Sequence, residues 1–160
     1  MSGGSFNYLY ANMDELMFQR FVFDSMEEMA EELKELGYEQ IANETIELKG
    51  LIETYLKKAD DMLKNQKYFA YIYEEYDEYE RFGDRGFYHL NELEEEHEND
   101  PQALKKIQSL NQFLQAASKE VEKKRAKLEP VWKAVEWHKS ADWGFDSVEE
   151  AIKDYQKNKK

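Results

Sequence analysis

The sequence predicts an all-α protein, a helical bundle of about five to seven helices with an extended N-terminal segment. Three observations carry this. Only seven Gly and two Pro occur in 160 residues, and 36% of the residues are charged against 41% hydrophobic, a balance of long amphipathic helices rather than turn-rich sheets. Apolar residues recur at three- and four-residue steps over long stretches, and candidate helix starts carry capping residues at the right spacing. At 160 residues the chain suits one helical domain, 1–160, with a core that needs no staples.

In chain order, Gly3 and Gly4 precede Phe6, Tyr8 and Tyr10, whose alternation suits an extended segment laid over a core. Asn12 and Glu15 have capping-box spacing and open a helix ending near Asp24. Ser25 and Glu28 repeat that spacing, so a second helix is expected from about Met26 to Leu36, closed by Gly37. Ile41, Thr45, Leu48, Ile52, Tyr55, Ala59 and Met62 mark one face of a third helix, whose pattern continues through Phe69, Ile72 and Tyr76. Gly83–Gly86 is the clearest internal break, followed by a short helix near His89–His97. Asp100 and Pro101 then read as N-cap and first helical residue. Leu104, Ile107, Leu110, Leu114, Ala117, Val121 and Leu128 line a long helix, which Pro130 either kinks or follows with a new helix, VWKAVEWHKS. Val148, Ala151, Ile152 and Tyr155 line the last one, which Asp146 and Glu149 open.

The formal charge of −13 is unevenly spread. Residues 1–73 hold 7 basic and 14 acidic side chains, residues 74–100 hold 2 and 12, and residues 101–160 hold 13 and 9. Such a layout disfavours direct binding to nucleic acid and to anionic membranes, and favours a basic partner. Without cysteine there is no disulfide, thiolate nucleophile or thiolate metal site. The N-terminus lacks a secretory signal pattern and no apolar run reaches the ~20 residues of a membrane span. A cytoplasmic protein is therefore expected.

Tyr68–Asp100 combines tyrosines with carboxylates. Not all its rings can face a core, so Tyr68, Tyr71, Tyr79, Phe87 and Tyr88, with Glu74, Glu75, Asp77, Glu78 and Glu80, form the expected partner-binding surface. Rows of carboxylates there could also mimic nucleic acid. No catalytic constellation is found, and neither a cofactor nor a metal is expected. The enzymatic alternative is an all-α, Mg-dependent nucleotide hydrolase using Glu28, Glu31 and Glu32 with Glu53, Asp60 and Asp61. His89, Glu92 and Glu96 share a helical face, yet exposed helix residues explain them better than a metal site. His138 beside Glu136 reads as structural, and Trp132, Trp137 and Trp143 as core packing in preference to an aromatic cluster that docks Phe6, Tyr8 and Tyr10. The long helices could also pair between chains as a homo-oligomer.

Two ends of the chain carry a resemblance. Met1–Tyr10 (MSGGSFNYLY), Met29–Tyr38 (MAEELKELGY), Val131–Trp137 (VWKAVEW) and Ser140–Gly144 (SADWG) resemble a family of small proteins found in phages and other bacterial mobile elements. The likeness covers roughly 1–60 and 125–155, and leaves 65–110 as an elongated or inserted section. It implies a mobile-element context in a bacterial host cell, in which the aromatic-acidic surface is expected to engage a host protein, inhibition of a defence system being the most concrete form. It brings no catalytic role with it.

Overall fold

The computed structural model describes residues 6, 20–64, 94, 95, 97–141 and 143–158. They form four helices and, among the described residues, no strand: α1 (Arg20–Glu35), α2 (Glu39–Lys64), α3 (Pro101–Lys139) and α4 (Phe145–Asn158). The expected total of five to seven helices includes segments at 12–19 and 65–93, which lie outside the described residues. No described helix is long and apolar enough to cross a membrane.

α1 contradicts one expectation. Instead of ending near Asp24 and restarting after a Ser25 cap, the helix runs through both residues, and Ser25 is buried inside it. Phe23, Met26, Met29, Ala30 and Leu33 keep an unbroken three- and four-residue step on its buried face. Packing along that stripe outweighs the local capping preference of serine. The C-terminus behaves as expected. Gly37 adopts φ +93°, Gly37 N donates to Lys34 O at 3.0 Å, and Tyr38 N donates to Leu33 O at 2.8 Å, the two bonds of a Schellman motif. This tight turn sends α2 back along α1.

The predicted stripe of α2 is the observed one: Ile41, Thr45, Leu48, Ile52 and Ala59 are buried, and Tyr55 and Met62 pack against the core edge. α3 is 39 residues long, about 58 Å at the usual helical rise. Asp100 caps it as predicted, its carboxylate accepting from Ala103 N at 3.2 Å, with Pro101 in the first turn. Ile107, Leu110, Leu114, Ala117, Val121 and Leu128 are buried in register with α2.

Pro130 neither ends α3 nor starts a new helix. The proline removes the bond to the carbonyl of Ala126, but both residues are exposed, so water can serve that carbonyl. Buried Leu128, Val131, Trp132 and Val135 hold the helix to the core on either side. α3 ends at Ser140 and at Ala141, which takes φ +66° without being glycine. α4 then folds back along α3, placing Ala151 and Tyr155 opposite Ala126 and Pro130.

One core joins these elements. α1 and α2 form an antiparallel pair, α3 packs against both, and α4 packs on α3. Phe6 is 5% exposed and belongs to this core. Tyr8, Tyr10 and the rest of the N-terminal segment lie outside the described residues.

Candidate functional site

The ten residues predicted to contact a partner, Tyr68 through Tyr88, all fall within 65–93 and lie outside the described residues. The described part of the chain carries a different feature that the sequence reading missed. On the outer side of the α1–α2 pair lies a cleft of about 530 Å³, lined by Asp24, Glu27, Glu28, Glu31 and Lys34 from α1 and by Asn43 and Ile46 from α2. Its floor is made of Ala30 and Ala42, both buried, whose methyl side chains keep it shallow.

The two walls differ in chemistry because the two helices turn different residues outward. α1 buries Phe23, Met26, Ala30 and Leu33, so the positions between them, all acidic at 24, 27, 28 and 31, stand on the opposite face. α2 buries Ile41, Thr45 and Leu48, which leaves Ile46 about a hundred degrees from Thr45 and 43% exposed. The available signal in the sequence was an apolar, β-branched residue off the helix stripe, between Thr45 and Glu47.

Electrostatics divide the carboxylates. Glu27 shares Lys49 with Glu53, each at 2.8 Å, across and along the helix pair. The hydrogen bonds to Glu27 and Glu53 raise the Lys49 pKa above the ordinary lysine value, overcoming its partial burial. Asp24, Glu28 and Glu31 are exposed and make no ion pair among the described residues.

The carboxylates considered for a hydrolase are dispersed. Glu28 and Glu31 face the cleft, Glu32 accepts from Lys139 Nζ at 3.2 Å, and Glu53 is held by Lys49. Among the described residues no group of three metal-ligating side chains could hold an ion. His89, Glu92 and Glu96 lie outside them, and so does the side chain of Asp60.

The three tryptophans separate, which corrects the expectation of one aromatic core. Trp132 is fully buried, Trp137 is half-buried, and Trp143 is 37% exposed at the end of α3. Trp143 stacks on Trp137 with centroids 5.3 Å apart, and Lys133 Nζ lies 5.8 Å from its ring centre. Trp143 sits beyond the end of α3 and can reach only the helix flank, so the core never closes over it. His138 Nδ1 lies 3.2 Å from Trp143 O and its ring leans on Phe145.

Compared with family models, with curated proteins and with solved structures, the chain finds no match.

Proposed function

We propose that this chain is a binding module for a basic protein surface, an accessory protein of phage or mobile-element type that engages a host protein in the bacterial cytoplasm. Inhibition of a defence system is its most concrete form. The observation that carries the reading is the segregation of charge over the fold. Asp24, Glu28 and Glu31 line the outer cleft of α1 and α2, whereas Lys119, Lys123, Lys124 and Lys127 stand exposed on α3. A lysine-bearing partner is attracted to the first group and repelled by the second, which orients the encounter before contact. The acidic, aromatic segment at 68–88 adds to the negative side in sequence and supplies the rings that interfaces favour.

The mobile-element context rests on the resemblance at the chain ends, and no separate observation bears on it. Affinity capture from a bacterial lysate, read by mass spectrometry at low and high salt, tests the function. A host protein retained by the wild type and released when Glu74, Glu75, Asp77, Glu78 and Glu80 are changed to their amides supports the reading. Retention unchanged by that substitution removes the 68–88 surface from it. Mg- or Mn-dependent release of pyrophosphate from nucleotides would overturn the reading in favour of a hydrolase.

A further inference from the structure

The α1–α2 cleft has the make-up of an interface in miniature: an apolar centre within a charged rim. Ile46 is the most exposed large aliphatic side chain among the described residues, and it opens onto the same hollow as the floor methyls of Ala30 and Ala42. Small residues on the floor let a partner come close to both helices. Because both walls are helices, the cleft presents no unpaired backbone edge on which a strand could be added, so the matching element is a helix laid into the groove.

We propose that this cleft docks a basic amphipathic helix of another protein, seating an apolar side chain on Ala30, Ala42 and Ile46 while its lysines or arginines meet Asp24, Glu28 and Glu31. The inference rests on the reading of the chain as a binder of basic proteins, and it names the place and the mode. Charge complementarity selects the partner. Glu27 is already engaged by Lys49, so the three remaining carboxylates set the rim, and Lys34 at one end disfavours a cation there. That asymmetry gives the docked helix a preferred direction. The chain's own Lys119–Lys127 stretch does not fit the groove. Besides Ile46, the exposed large hydrophobic residues are Trp143 and Phe145, remote in sequence from the Lys119–Lys127 stretch, so that stretch lacks the apolar anchor the floor requires.

The test is fluorescence anisotropy with a labelled synthetic peptide of about five helical turns, leucines on one face and lysines on the other, beside a scrambled peptide of identical composition. The amphipathic peptide should bind the wild type. Ile46→Ala should weaken it by about fivefold to tenfold. Asp24→Asn with Glu28→Gln and Glu31→Gln should weaken it by about tenfold or more and flatten its salt dependence. All four residues are exposed, so circular dichroism should show unchanged folding. Equal binding of the scrambled peptide, indifferent to Ile46→Ala, would reduce the cleft to a charged surface and overturn the docking mode, while leaving the broader reading intact. Failure of both peptides also overturns it, and the lysate capture then decides whether the broader reading falls too. A wild-type dimer in sedimentation that Ile46→Ala dissociates would assign the cleft to a second copy and overturn it as well.

Discussion

The hydrogen bonds Trp132–Thr45 and Tyr55–Glu120 both join α2 to α3, and they differ in almost everything except the helices they link. In the interior, Trp132 Nε1 donates to Thr45 Oγ1 at 3.1 Å, and Thr45 Oγ1 donates onward to Ile41 O at 3.0 Å. Thr45 and Trp132 are fully buried. Nearer the other end, the Tyr55 hydroxyl donates to the Glu120 carboxylate on the solvent edge, with the Tyr55 ring set edge-on against Phe113 at 5.9 Å. The inner pair has no water to fall back on, so each polar atom depends on its partner. The outer pair involves a charge but exchanges freely with solvent. Depth, more than formal charge, decides what each contact contributes.

The comparison can be broken most forcefully at Trp132. Trp132→Ala leaves a hole in the core where α3 meets α2 and should destabilise the protein by about 3–5 kcal/mol in chemical denaturation. Thr45→Val is a subtler probe, because it keeps the shape but strands the indole N–H. It should cost about 1–3 kcal/mol, and combination with Trp132→Phe should cost less than the sum of the two, since one hydrogen bond is then removed only once. Additive losses would mean that Thr45 acts through packing alone.

At the outer pair the effects shrink and become dependent on pH. Tyr55→Phe should cost no more than about 1 kcal/mol near neutral pH. The hydrogen bond to Glu120, followed by partial burial and the Glu120 charge, raises the Tyr55 pKa to about 12. A tyrosine in the unfolded chain titrates near 10. With the folded value raised, the contribution of the neutral hydroxyl is complete below about pH 10 and is lost as the pH rises through 12. Denaturation of wild type and Tyr55→Phe should therefore converge over that window. A gap that ignores pH would place the effect in the ring packing against Phe113.

The smallest change is on the surface of α2 between the two bonds. Gly50 is exposed in mid-helix, and a Cβ there would meet nothing within 4 Å. Gly50→Ala should stabilise the fold by about 0.5–1 kcal/mol by restricting the unfolded chain. It should leave both hydrogen bonds intact.

Much of the helical frame was legible because the relevant physics is local. The α2 stripe from Ile41 to Met62 and the α3 stripe from Ile107 to Leu128 follow from a period that any helix imposes on its buried face. Asp100 with Pro101, and Gly37, announce a helix start and a helix stop through groups that act within one turn. The same local logic misled at Ser25, and at Pro130 its option of a new helix is removed because the helix runs on. A capping serine and a helix-breaking proline state preferences of about 1–3 kcal/mol, which flanking apolar contacts override once those residues are packed. No rule of spacing contains that packing.

The candidate site divides along the same line. That the N-terminal half and 74–100 are acidic, and that 101–160 is basic, is a property of composition and needs no coordinates. Which carboxylates remain unpaired is a different matter, because Glu27 and Glu32 are engaged by Lys49 and Lys139, residues distant in the chain and adjacent only after folding. Nor could three similar tryptophans be sorted in advance into one buried between α2 and α3 and one standing beyond the end of α3. Helix period and charge layout are written residue by residue. The cleft around Ile46 exists because α1 and α2 meet along particular faces, and that meeting is settled by the joint burial of both stripes against α3.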